Sequence, residues 1–347
     1  MEFAFTEDQL AINEAAREML LETCTTASLR AMLKDGRAID EERWRTICEM
    51  GLLGMLAPEA SGGMGLGLAD FIGIAEAAGY VGLPEPLVEL AGITIPLLAG
   101  LRDEGFSDPG DLLGAAMGGN LVALGHPANR LVADADRAIA MVLADSEDLH
   151  IVEHVDGKFE RQESFDPFRR LFAVQWTPSP ATLVAKSWGD TAQRGAILAA
   201  AQMVGLAQRC IDISVAYAKD RTQFGRPIGS YQAVKHLIAN AQVKIEFARP
   251  VVHAAAAELP LDTIASRARI AHAKIAAGEA AELAARTAVQ VHGAMGMTWE
   301  VDVHYFLKRA LALKSSWGTP AAHLGTVIER IGALPTGPDL TFASTLS

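Results

Sequence analysis

The chain has 347 residues, half of them hydrophobic and 6% aromatic, with a formal net charge of −12. That length holds two or three domains around a sizeable core. The acidic balance excludes a nucleic-acid binder, whose phosphate partner demands a basic face. Cys24, Cys48 and Cys210 lie far apart and form no CxxC, so they supply neither a disulfide framework nor a zinc site. The N-terminal stretch lacks a basic-then-apolar leader. No apolar run reads as long and uncharged enough to cross a bilayer. A cytoplasmic, helix-rich protein is expected.

In chain order, Thr6 and Gln9 form a capping-box pattern. Leu10, Ile12, Ala15, Ala16, Met19 and Leu20 then make a helical stripe. A second helix is expected over residues 40–50, stopped by Gly51. Residues 58–67 are a glycine-rich loop, and helical pattern resumes over 69–79 and 85–98. Residues 1–118 thus read as an N-terminal helical domain. Residues 119–186 change character. Short runs at 121–124, 138–143, 150–155 and 171–176 are punctuated by Asp, Gly and Pro, as in strands joined by turns. They predict a short, β-barrel-like middle domain. Residues 187–347 return to helix. Ile197, Ala201, Val204, Gln208, Ile211 and Val215 step at three or four residues and end before Arg221. A helix over 231–258 contains Pro250, which should kink or break it. Another over 262–291 stops at Gly293, and one or two more follow Val301. Long helices with short connections predict an antiparallel four-helix bundle. The fold class is mainly α with a small β domain.

Several local patterns carry little. Gly63-x-Gly65-x-Gly67 has no preceding strand and no βαβ context, so a turn between helices is expected instead of a dinucleotide fingerprint. His150 and His154 would share a strand face but lack further ligands, and no metal site is expected. Asp145, Glu147 and Asp148 read as a solvated turn.

Three segments carry more. They are Trp44-Arg45-x-x-Cys48-Glu49-Met50-Gly51-Leu52-Leu53-Gly54 with Pro58-Glu59-x-x-Gly62-Gly63-x-Gly65, then Arg221-Thr222-Gln223-Phe224-Gly225-x-Pro227-Ile228-x-x-Tyr231-Gln232, and Gln290-Val291-His292-Gly293-Ala294-Met295-Gly296. Their order and spacing resemble the acyl-CoA dehydrogenase family over nearly the whole chain. On residue chemistry, Gly225 and Gly293 are expected at helix ends, where backbone N–H groups can serve a pyrophosphate. Arg221 offers a fixed fork of donors, and Phe224 and Tyr231 offer flat faces for adenine. A plainer reading makes these residues bundle punctuation, with Phe224 in the core and Arg221 in a surface ion pair. The resemblance implies FAD as cofactor. It assigns the adenosine and pyrophosphate, reached from a neighbouring subunit, to Arg221, Thr222, Gln223, Phe224, Tyr231, Gln232, Gln290, Val291, His292, Gly293 and Ala294.

The chain departs from the family pattern in two places. Residues 124–132, Leu-Gly-His-Pro-Ala-Asn-Arg-Leu-Val, lack the Thr/Ser-rich segment that holds the flavin ring. Family members desaturate an acyl thioester, with a carboxylate taking the α proton while hydride passes to flavin. One carboxylate location reads Ser315-Ser316-Trp317-Gly318-Thr319 here, and the other reads Thr191-Ala192-Gln193-Arg194-Gly195. Trp317, Gln193 and Gly195 supply no base, so no catalytic residue is expected. The resemblance, with these departures, implies the smaller subunit of an α2β2 dehydrogenase, acting on an acyl-CoA with a larger base-carrying chain and an electron-transfer acceptor. A steroid side-chain CoA ester is the suspected substrate. Two alternatives stand beside this: a self-sufficient homo-oligomer with its base relocated to Asp190, Glu246 or Glu258, and a non-catalytic remnant that binds an acyl-CoA or a partner.

Overall fold

The capping box forms as expected. Thr6 Oγ1 accepts from the Gln9 N–H at 3.2 Å, and Gln9 Oε1 accepts from the Thr6 N–H at 2.9 Å. The structure, a computed structural model, describes residues 6–105, 111–129, 131–153, 158–259 and 261–333. Helix α1 (Glu7–Thr23) is followed by α2 (Thr26–Asp35) and α3 (Glu41–Glu49), the last capped by Asp40 and terminated by Gly51 at φ 72°. Inside α3, Arg43 is fully buried and grips Glu85 with both arms, at 2.8 and 2.7 Å. Glu85 also accepts from the Asp40 N–H at 2.7 Å, and Arg43 donates to Thr23 O at 2.9 Å. With its donors and acceptors met, this buried pair ties α3 to the segment entering the centre of the molecule.

The glycine-rich loop is a turn, as its context predicted. Met64, Gly65 and Leu66 donate backbone bonds to Gly54, Ala57 and Met55, and a Cβ on Gly63 would stand 2.2 Å from Ala57 O. Beyond it come α4 (Leu68–Val81), α5 (Leu87–Glu89), a π turn (Leu90–Thr94), α6 (Ile95–Asp103) and α7 (Leu112–Met117).

The middle region contains β1 (Val122–Gly125), β2 (Val132–Ala133), β3 (Ala140–Asp145), β4 (Asp148–Glu153), β5 (Lys158–Gln162), β6 (Leu171–Gln175) and β7 (Leu183–Ala185). These make two sheets, ordered β1-β3-β4-β7 and β2-β6-β5. The expected barrel-like closure is therefore corrected: among the described residues no barrel closes. With β2 two residues long and β7 three, the end strands cannot complete the ladders that closure requires. His150 bonds Thr182 Oγ1 through Nδ1 at 2.9 Å, while its supposed companion His154 lies outside the described residues.

The helical bundle is built from α8 (Thr191–Asp220), α9 (Gln232–Ala256), α10 (Ile264–His292) and α11 (Val303–Ser315), with α12 (Pro320–Ala333) packed on α10. Helix α9 continues through Pro250 instead of breaking there. Helix α8 corrects the membrane argument from sequence. It is long and apolar enough to span a bilayer, but 78% of its most apolar window is buried inside the protein. Its crossing with α4 is backbone-close. A Cβ on Gly205 would lie 1.8 Å from Glu76 O, and one on Gly79 would lie 2.0 Å from Gln202 O.

Those distances set a contrast between glycines. Gly79→Ala or Gly205→Ala should cost about 1–3 kcal/mol or more through overpacking. Gly100→Ala, in α6 with nothing within 4 Å of its Cβ position, should gain about 0.5–1 kcal/mol. Denaturant midpoints of the three variants check this, and a neutral Gly205→Ala would contradict the close crossing.

Candidate functional site

At the far end of α8 the chain turns through a small hairpin, with β8 (Thr222–Gln223) against β9 (Arg226–Pro227). Thr222 pairs with Pro227 and Gln223 with Arg226, leaving Phe224 and Gly225 as a two-residue loop. Both have positive φ, 52° and 80°, the signature of a type I′ turn. Gly225 therefore sits at a hairpin tip and not at the helix end expected from sequence. A non-glycine residue at positive φ is strained, and the Phe224 ring is 93% exposed. The reading of Phe224 as core is excluded. Arg221, Thr222, Gln223 and Gln232 are also exposed, and Arg221 has no ion pair among the described residues. Tyr231 donates to Gln223 O at 3.2 Å, and the Arg226 guanidinium covers its ring at 4.1 Å.

The second motif lies at the same end of the bundle. Tyr217, one turn before the hairpin, stacks on His292 with ring centroids 4.1 Å apart. The ends of α8 and α10 are thus side by side, and α9 packs on both helices. Gln290, Gly293 and Ala294 are exposed, and Gly293 takes φ 63° with its Cβ position open. Val291 and His292 are buried, and His292 Nδ1 is held 2.7 Å from Ala288 O. Burial lowers the His292 pKa. Their side chains belong to the bundle, so any ligand contact here comes from the backbone of the turn and from Gln290.

The other end of α8 is filled. A Cβ on Gly195 would stand 2.1 Å from Trp317 Cδ2, inside the indole ring. The two positions where a family base is expected are therefore in direct contact, and one residue's missing side chain is the other's space. Trp317 is held there at φ 55°: its N–H donates to Asn129 Oδ1 at 2.8 Å and its carbonyl meets His323 Nε2 at 3.0 Å. His126 packs between Trp188 and Trp317, at 4.7 and 5.3 Å between centroids. Burial brings the His126 pKa down to about 4, and its Nδ1 accepts from the Ala128 N–H, leaving a weak proton acceptor. Residues 124–132 thus pack against Trp317 through His126 and Asn129.

Of the relocated-base candidates, Asp190 is the N-cap residue at the start of α8, and each of the three carboxylates is already engaged. Asp190 pairs with Arg194, Glu246 accepts from Gln242 on an exposed face, and Glu258 pairs with Arg269. Sequence reading missed a partly open cavity of about 110 Å³ beside Trp317, lined by the segment leading into α5, the π turn, β1 and α8. Asp134, Glu89, Arg169 and Gln202 line it. Asp134 adopts φ 52°, and burial followed by the nearby Glu89 pushes its carboxyl from 3.8 up to about 6.

Residues 6–99 match the model of the acyl-CoA dehydrogenase N-terminal domain, and residues 189–332 match that of the C-terminal domain. With helical, β and helical regions in that order, the chain belongs to the acyl-CoA dehydrogenase family. It is similar to acyl-CoA dehydrogenase IpdE2 of Mycobacterium tuberculosis, 34% identical over 313 residues that span 88% of this chain and 91% of that protein. Among solved structures it resembles a chain of the ChsE4–ChsE5 complex from Mycobacterium tuberculosis, with TM-score 0.82 and 22% identity over 97% of this chain and 100% of that one. It also resembles a chain of the Tcur3481–Tcur3483 steroid ACAD, with TM-score 0.79 and 24% identity over 94% and 98%. At those identities the two structures speak for the fold.

Two measurements probe this end of the molecule. Gly195→Ala should cost about 1–3 kcal/mol, and much of that cost should vanish in a Trp317→Leu background. A double-mutant cycle should give a coupling above about 0.5 kcal/mol, and additivity would deny the contact. For Asp134, the folded protein holds the proton more tightly than the unfolded chain. Its contribution is fully present below pH 3.8 and is lost as pH rises to about 6. Asp134→Asn should flatten that decline, and parallel stability curves for variant and wild type would refute it.

Proposed function

We propose that this chain is the base-less subunit of a heteromeric, FAD-dependent acyl-CoA dehydrogenase. Its open end serves the nucleotide half of FAD, and a partner chain supplies the flavin-ring site and the carboxylate. The observation that carries this reading is the contact between Gly195 and Trp317, which fills both base positions with one indole.

FAD is the cofactor of this family, and the residues at the open end suit its adenosine and pyrophosphate. An exposed aromatic ring on a strained turn costs folding energy with no return inside the chain, which favours a role in contact with something else. Phe224 offers adenine a flat apolar face. Arg221 offers a phosphate several parallel donors and has no ion pair among the described residues. The turn at Gly293 and Ala294 lets backbone N–H groups approach closely. When bound, FAD supplies the hydride acceptor for α,β-desaturation of an acyl thioester. That desaturation also needs a base at the α carbon. Trp317 has no basic lone pair, Gly195 has no side chain, and His126 is buried and weakly basic.

The structural likeness to a chain from a two-component complex supports a partnership, here suggested as α2β2 with an electron-transfer acceptor. The likeness to a steroid ACAD supports a steroid side-chain CoA ester as substrate. The test is expression alone and together with a dehydrogenase chain that keeps a carboxylate at a position matching 195 or 317. Alone, the chain should purify nearly colourless. Together, the pair should carry flavin absorbance and oxidise acyl-CoA. Arg221→Ala and Phe224→Ala should each lower the flavin affinity of the pair about tenfold while leaving the stability of the isolated chain within about 0.5 kcal/mol. A flavin-saturated isolated chain that oxidises an acyl-CoA would overturn the proposal.

A further inference from the structure

Helix α12 packs on α10 yet shows its apolar side to solvent. None of its residues is buried, and the half-buried ones are His323, Thr326, Val327 and Arg330. Leu324, Ile328 and Ile331 are 52, 58 and 56% exposed, and Ala321 is exposed beside them. Steps of three, four and three residues place these four on one side of the helix, the spacing of a two-helix seam. A lone surface helix turns such a stripe toward the core and its polar residues outward, and α12 does the reverse. A contiguous apolar stripe left in water marks an interaction surface. Gly325 and Gly332 border the stripe, and neither has anything within 4 Å of its Cβ position. Glycine weakens a helix relative to alanine, and no contact inside the chain calls for it at either position. The missing side chains leave room for another backbone to come close.

The stripe specifies its own occupant. Its spacing reads the same from either end, so a second α12 turned end for end meets it in register. Leu324 then lies opposite Ile328 of the second copy, and Ala321 lies opposite Ile331, small against large. A two-fold interface requires this self-complementarity. Charge leads to the same occupant. The chain carries a net charge of −12, so two copies repel each other unless they meet at an uncharged patch. Neither the stripe nor its bordering positions Pro320, Gly325, Val327 and Gly332 hold a charge. We infer that two copies of this chain pair through α12, antiparallel about a two-fold axis, with Ala321, Leu324, Ile328 and Ile331 as the seam. The pairing needs neither flavin nor a base-carrying chain, so it stands apart from the proposed function. At 1.5 Å per residue, the 14 residues of α12 span about 21 Å. One such helix pair falls short of the roughly 800 Å² per partner of a standard interface, which makes the dimer weak and concentration-dependent.

Sedimentation equilibrium of the full-length, flavin-free chain tests this, from sub-micromolar to several hundred micromolar. Wild type should pass reversibly from monomer to dimer. Ile328→Glu and Leu324→Glu, which would bury charge in the seam, should each raise the dimer Kd about a hundredfold. Their circular dichroism should not change, because both positions are already exposed. Leu10→Glu, at a 54% exposed position of α1, should leave the Kd unchanged. Cysteines read the register. A mixture of Leu324→Cys and Ile328→Cys chains should form an intermolecular disulfide on mild oxidation. Either variant alone should not, since its two thiols would lie a helical turn apart. A wild-type chain still monomeric at several hundred micromolar overturns the inference, whether residues 334–347 or a different protein then cover the stripe. A dimer that survives both glutamate variants overturns it as well, and self-linking of either cysteine variant overturns the antiparallel register.

Discussion

The Trp317 indole occupies the volume that a side chain on residue 195 would need, and its backbone is fixed by Asn129 on one side and His323 on the other. Because interiors are packed near crystal density, such a ring is not easily displaced. His126 and Trp188 close around it, so the contact extends into the middle region. The packing of this end of the molecule is thus set by several residues that support one another.

Helix α8 carries that constraint across the molecule. It begins beside Trp317, passes the cavity at Gln202, lies against α4 at Gly205 and ends at the Arg221 hairpin. At 1.5 Å per residue, the 30 residues of α8 span about 45 Å. Contact with α4, α9, α10 and α11 holds the helix as a single rod. A closed end, a cavity and an open end therefore sit at fixed positions along one element. A partner docked at the open end would find the hairpin already shaped, with little ordering cost to meet.

The range of each interaction decides how much of it the sequence reveals. The Thr6–Gln9 cap, the Gly51 stop and the end of α8 before Arg221 depend on neighbours a few residues away, and all three were legible. Strands β1, β3, β4 and β6 were foreseen and β2, β5 and β7 were not, and whether the strands closed on each other depended on the parallel pairing of β1 with β3 and on the shortness of β2 and β7. Nothing local encodes either. At the candidate site the residue types were legible while their surroundings were not. Trp317 and Gly195 each stood out as a missing base, but their mutual contact joins distant segments. Gly225 looked like a helix end until the register of Thr222 with Pro227 made it a hairpin tip. The cavity had no local signal at all, because Glu89, Asp134, Arg169 and Gln202 come from four separate segments. One signal was available in principle: Gln202 is an amide on the most apolar stretch of α8, a costly position unless something meets it.

The same packing bears on how readily a carboxylate could be accommodated at either position. A carboxylate at 195 needs space that Trp317 occupies, and a carboxylate at 317 would enter surroundings of Gly195, His126 and Trp188 with no cation among them. Either acid would be buried, and burial raises a carboxyl pKa and favours its protonated form. A base that keeps its proton takes none from substrate. Recovering a base therefore requires at least two coordinated replacements, each unfavourable by itself. In the proposed heteromer, a carboxylate supplied by a separate chain would avoid that barrier and would leave the 195–317 contact free to serve as structure alone.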